Sequence, residues 1–79
     1  MMSFDEVFEI LMESILKKNS VRIKYLSASN EYSERKIMPK KFVLVERRNT
    51  YSQICLEAYC YLRKDDRIFA VYRIEEIND

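Results

Sequence analysis

The chain has 79 residues, 48% hydrophobic and 34% charged, with a formal net charge of +1, no glycine and no histidine. That length holds one small domain with a thin core. The absent glycines exclude phosphate-cradling P-loops and the dinucleotide fingerprint, and the absent histidines exclude Ser-His-Asp and Cys-His catalysis. What remains is a non-enzymatic binding or interaction module, with no catalytic residue, metal or cofactor assigned.

Ser3 and Glu6 form a capping-box pair. Phe4, Val7, Phe8, Leu11 and Ile15 follow at helical spacing, with Glu6, Glu9 and Glu13 on the other side. Acids at the start and Lys17-Lys18 at the end complement the helix dipole, which predicts an amphipathic helix over about residues 4–18.

After Asn19-Ser20 the pattern changes to period two. Val21, Ile23 and Tyr25 alternate with Arg22 and Lys24, a half-buried strand. Ser27 to Glu31 makes a polar turn. A second strand, near Tyr32 to Met38, is expected to stop at Pro39, which has no N–H for a central ladder. Phe42 to Val45, apolar at every position, predicts an enclosed third strand. Arg47 to Thr50 turns the chain into a fourth strand, about Tyr51 to Leu62, with Ile54, Leu56, Ala58, Cys60 and Leu62 on one face. Lys64-Asp65-Asp66 is read as a tight turn between strands, Ile68 to Tyr72 as the fifth strand, and Ile74 with Ile77 as a last turn of helix at about 73–78. One helix and five short strands predict a mainly β fold, a small strongly bent barrel over about residues 21–72 that avoids open edges.

Cys55 and Cys60, five residues apart, fall on opposite faces of their strand, which suits small hydrophobic thiols in a reducing cytoplasm rather than a disulfide or zinc site. The acidic N-terminus lacks the form of a secretory signal, and no apolar run is long enough to span a bilayer, so a cytoplasmic location without membrane contact is expected.

The small net charge hides an asymmetry. Residues 1–16 carry −4, whereas residues 17–48 carry +7 from ten cations and three acids. A basic segment suits an anionic ligand or a nucleic-acid backbone if its charges converge. It equally suits the solvated faces of strands.

Several residues then fall in a familiar order: Tyr25, Glu34-Arg35, Pro39, Leu56-Glu57-Ala58-Tyr59-Cys60, Arg63, Arg67-Ile68-Phe69 and Arg73-Ile74. In this order and spacing the chain resembles a WYL domain across about residues 8–77, as a single domain over 1–79. The resemblance implies an Sm-like, SH3-type barrel. It also implies a sensing role toward nucleic acid or nucleotide-like ligands, of the kind associated with bacterial transcription regulation. The chain departs from the family pattern at the naming tripeptide, here Ile54-Cys55-Leu56, at Ala70, where a basic residue is usual, and at Tyr72, where an acid is usual.

Arginine forks match phosphate oxygens and stay charged at working pH, and tyrosine rings offer faces for stacking bases. The expected ligand or nucleic-acid site is therefore Tyr25, Arg35, Tyr59, Arg63, Arg67 and Arg73, with Arg35, Arg67 and Arg73 converging beside Tyr25 and Tyr59. The competing readings are that Arg35 and Arg67 pair with carboxylates such as Asp65 or Glu57, and that Tyr25 is a core residue with its hydroxyl at the rim. Two other functions are weighed: a protein-interaction module, as a homo-oligomer or with a partner protein, and a small ribonuclease, which nothing in the residues specifies.

Overall fold

A computed structural model describes residues 2–46 and 52–78. The elements are α1 (Phe4–Lys17), β1 (Val21–Leu26), β2 (Tyr32–Glu46), β3 (Ser52–Cys60), β4 (Asp65–Ala70), a 3-10 turn (Val71–Arg73) and β5 (Ile74–Asn78). The mainly β architecture with one N-terminal helix is the one expected, and the strands form an antiparallel sheet in the order β4-β3-β2-β1-β5. Its ladders do not close into a barrel.

The capping box at α1 is complete. The Glu6 amide donates to Ser3 Oγ, and the Ser3 amide donates to the Glu6 carboxylate, both at 3.2 Å. The helix ends where Lys18 adopts a left-handed conformation at φ 58° and donates its amide back to Ile15 and Ser14. Val7 and Leu11 are fully buried against the sheet, in one core with Val21, Ile23, Ile37, Leu56, Ala58, Cys60 and Phe69.

Three expectations about strand boundaries are corrected. The segments either side of Pro39 are not two strands but one of 15 residues. Its first part pairs with β1, from Leu26↔Tyr32 to Val21↔Ile37, and its second part with β3, from Ile37↔Cys60 to Glu46↔Ser52. The register shifts between Pro39 and Lys41. A residue without an N–H is tolerated at a bulge, and a bulge bends its strand. Pro39 therefore turns β2 from one neighbour to the next instead of ending it. Phe42 to Val45 is also less enclosed than expected: Leu44 is 69% exposed, opposite Ile54 at 36%.

The second correction concerns the C-terminal segment. Instead of a turn of helix at 73–78, residues 74–78 form β5 along the free edge of β1. Ile77 faces Ile23 and Ile74 faces Tyr25, with a register shift at Lys24/Tyr25 that inserts an extra residue into β5. The bulge changes side-chain parity, so two isoleucines three apart are both buried, a spacing that mimics a helix. β4 also starts earlier than expected. The turn occupies residues 61–64 and Asp65 is already in the strand. The expected turn at Arg47 to Thr50, and Tyr51, lie outside the described residues.

Neither cysteine forms a disulfide, and both are buried. Among the described residues no helix is long and apolar enough to cross a membrane.

Candidate functional site

Alternation along paired strands decides which arginines can meet. Ile23 pairs with Arg35 and Tyr25 with Ser33, so Tyr25, Ser33 and Arg35 share the face that buries Ile23. In β4, Arg67 pairs with Ala58 two residues before Phe69 pairs with Leu56. Arg67 thus continues the core-facing row but lies beyond the edge of the core, where it is exposed. β2 and β4 flank β3, and the bend in β2 brings Arg35 toward Arg67.

The result is a cleft of about 180 Å³ lined by Tyr25, Ser27, Ser33, Arg35, Arg67, Ile68 and Phe69. Larger hollows exist, one of about 400 Å³ at the C-terminal end of α1, but its charged lining is Glu13 and it contains no cation. The smaller cleft has the chemistry for an anion.

Arg35 is half-buried and held from two sides: its Nε donates to Ser33 Oγ at 3.3 Å and its Nη1 to Cys60 Sγ at 3.7 Å. The carboxylate pairing of the competing reading is not found among the described residues. The ion pairs among the described residues are Lys17–Glu13 and Lys40–Asp66, which leaves the charges of Arg35 and Arg67 uncompensated at the cleft.

Tyr25 forms a wall. Its ring meets Phe69 edge-on at 5.2 Å, and its hydroxyl accepts a hydrogen bond from the Ala70 amide at 3.0 Å. It is the rim tyrosine of the competing reading and a cleft residue at once, with its hydroxyl engaged and part of its surface exposed.

Beneath the cleft, Cys60 has no exposed surface. Burial alone pushes its thiol upward, but the backbone amide of Arg63, the Arg35 side chain and the Leu62 amide together outweigh that effect and hold it below its ordinary value.

The other three expected residues do not line the cleft. Arg73 comes close, but its guanidinium donates to the carbonyls of Leu26 at 3.4 Å and Ser27 at 3.0 Å and rests 5.2 Å from the Tyr72 ring. It fixes the end of β1, and with it Ser27, as a positioning residue. Tyr59 pairs with Met38 and Asp66 on the opposite face of the sheet, its ring edge-on to Tyr61 at 5.2 Å. Arg63 is exposed in the turn after β3. The structure thus brings Tyr25, Arg35 and Arg67 together and places Tyr59, Arg63 and Arg73 outside the cleft.

Sequence reasoning missed Ser27, Ser33 and Cys60. Ser33 carried a usable signal, since it precedes Arg35 by two residues and so shares its face. Ala70, where the family usually has a cation, pairs with Cys55 and so has the opposite parity to Arg67 and Phe69. That departure leaves the arginine pair intact.

Comparison with known proteins places the fold. The WYL domain family matches residues 6–78. Among solved structures, the proteasome accessory factor B/C (PafBC) of Arthrobacter aurescens superposes with a TM-score of 0.78 at 24% identity. The match covers 95% of this chain but 11% of that one, so the fold is shared while most of PafBC has no counterpart here. No curated protein matches the chain.

Proposed function

The chain belongs to the WYL domain family, and from that premise we propose that it is a non-enzymatic regulatory module that senses a nucleotide-like ligand through the Arg35–Arg67 cleft. The observation that carries this reading is a pair of arginines from separate strands, without carboxylate partners among the described residues, beside an aromatic wall. Two guanidinium forks on one small cleft suit a phosphate group. Ser33 and Cys60 hold Arg35 in place before the ligand arrives, which lowers the ordering cost of binding. The Tyr25 and Phe69 rings border the space for the attached base or sugar. About 180 Å³ admits a phosphate and part of its nucleoside rather than a duplex.

The same phosphate chemistry occurs on a free nucleotide and at the phosphorylated end of a nucleic-acid strand. Calorimetric titration of the protein with a nucleoside monophosphate and with a terminally phosphorylated oligonucleotide separates the two sources. Saturable binding that weakens with salt, and falls at least ten-fold in Arg67→Ala, supports the proposal. Affinity unchanged in Arg67→Ala and Arg35→Gln refutes it. The resemblance to PafBC supports a regulatory setting, in which the output lies in a separate domain or partner.

A second reading has its own observation. Phe4, Phe8, Ile54 and Tyr72 contribute exposed or half-buried apolar surface around two adjoining hollows, with exposed Leu44 paired opposite Ile54, as a self-association surface would. Light scattering across a concentration series tests it: a growing mass that Leu44→Lys abolishes supports oligomerisation, and a strict monomer excludes it.

A further inference from the structure

The two edges of the sheet, β5 and β4, are finished differently. Met2 lies along β5: its amide donates to the Glu75 carbonyl at 3.0 Å, and the Ile77 amide reaches the Met2 sulfur at 3.4 Å. Covering an edge in this way removes a template for further strands. Among the described residues no such segment runs along β4.

In an antiparallel strand, the N–H and C=O of one residue point to one side and those of its neighbour to the other. The Ala70 amide donates to the Tyr25 hydroxyl at 3.0 Å, so it points away from β3, and Ile68 and Asp66 share its orientation. The Asp66 amide is taken by the Asp65 carboxylate at 2.8 Å. Ile68 is left between two blocked positions. Its own N–H and C=O face out of the sheet, where they can exchange two hydrogen bonds with one residue of a facing extended chain.

This open position borders the cleft, which Ile68 lines together with Arg35 and Arg67. Ile68 and Arg67 alternate in direction, so Ile68 meets the cleft through its main chain. The lining holds two cations and no acid. Nearby carboxylates are engaged or turned away. Asp65, on the row of Arg67, receives the Asp66 amide, and Asp66 holds Lys40 at 2.9 Å. Glu31 accepts the Ser29 hydroxyl at 3.3 Å, while Glu57, paired with Ile68, and Glu34, next to Arg35, have the parity of the far face.

We propose that β4 binds the C-terminus of a partner polypeptide: the penultimate residue of an extended tail pairs with Ile68, and the terminal carboxylate enters between Arg35 and Arg67. Charge argues for the carboxylate, because two guanidinium forks without an acid match its oxygens. The blocked neighbours argue for an end rather than a passing strand. A strand running past Ile68 needs amides for its next carbonyls, and those of Asp66 and Ala70 are already engaged. A chain that ends there has only its carboxylate left to satisfy. Strand addition and capture of a terminal carboxylate are both known modes of peptide recognition. The proposal does not rest on the nucleotide reading, which makes no use of the β4 main chain.

The test is amide NMR of the isotope-labelled protein, titrated with pooled short peptides varied in their last three residues, each with a free C-terminal carboxylate. The expected result is saturable binding in which the Ile68 amide proton moves downfield, as a new hydrogen bond requires. The same pool with amidated C-termini binds about ten-fold more weakly, through loss of a charge-assisted hydrogen bond, and Arg67→Ala has a similar effect. Methylating the penultimate peptide nitrogen removes the bond to the Ile68 carbonyl and weakens binding about five-fold. Ile68→Pro removes the facing donor at an outward edge position where proline is tolerated. It weakens peptide binding to a similar degree and leaves binding of a nucleoside monophosphate within about two-fold. If that variant does not fold, the methylated pool makes the same test on the intact protein. No binding of the free-carboxylate pool, equal binding of the amidated or methylated pool, or an unmoved Ile68 amide overturns the proposal. Failure of the nucleoside monophosphate to bind overturns the nucleotide reading and leaves this one standing.

Discussion

The Tyr25 hydroxyl accepts a hydrogen bond from the Ala70 amide at 3.0 Å, joining the end of β1 to the end of β4 where no ladder connects them. An open sheet is thereby fastened by one side chain just where the cleft forms. Arg73 adds a second tie, from the 3-10 turn to the Leu26 and Ser27 carbonyls. The two ties fix the cleft walls relative to each other.

Removing the first tie has a measurable consequence. Tyr25→Phe keeps the ring but leaves the buried Ala70 amide without its partner, at a cost of about 1–3 kcal/mol. Urea unfolding is expected to show the midpoint falling with an unchanged m-value.

Arg35 and Cys60 predict a titration. With the thiol held below its ordinary value, Cys60 ionises earlier in the folded protein than in the unfolded chain, whose thiol keeps that ordinary value. The sign follows from that direction. The stabilisation is absent at low pH, grows as pH rises through the folded value and is complete above the unfolded one. Ultraviolet titration of the thiolate in a Cys55→Ala background reads it directly, and Arg35→Met is expected to move the Cys60 transition upward.

The missing glycines leave room for stabilisation. Lys18, Asn30 and Lys64 adopt left-handed backbone at φ 58°, 63° and 55°. Asparagine tolerates that region, whereas lysine is strained there. Lys18→Gly, at the position where helices favour glycine, is expected to raise stability by about 0.5–1 kcal/mol. Thermal unfolding measures the gain.

The helix is part of the core rather than an appendage. Leu11 is fully buried between α1 and the sheet. Truncation to alanine costs about 2–5 kcal/mol, a large share of the roughly 4–12 kcal/mol expected of a domain this size. Thermal unfolding followed by circular dichroism is expected to show the Leu11→Ala midpoint lowered by roughly 10–40 °C.

Local patterns in the sequence identified the helix to within a residue, because the capping box, apolar stripe and terminal charges agree. Strand identity was legible for the same reason at Val21, Ile23 and Tyr25. What misled was local as well. Pro39 reads as a stop signal because its missing N–H is visible, while the bulge that absorbs it depends on β3. Ile74 and Ile77 read as helical because the compensating irregularity lies in their pairing with β1. In the cleft, parity placed Arg35 and Arg67 on the core-facing side. Arg73 escaped such reasoning because a 3-10 turn resets direction, and Tyr59 because a tyrosine that alternates outward can be assigned to a site only when its neighbours across the sheet are known.

The β1–β5 ladder joins residues 21–26 to residues 74–78, nearly opposite ends of the sequence. The β1–β2, β2–β3 and β3–β4 ladders each join consecutive strands and can form soon after the second strand leaves the ribosome. The outer edge of β1 must wait until residue 78 has been translated. During that interval a nascent chain presents Arg22 and Lys24 along an unpaired edge, and such charges discourage strand-to-strand aggregation. Arg22 and Lys24 thus protect the sheet during biosynthesis.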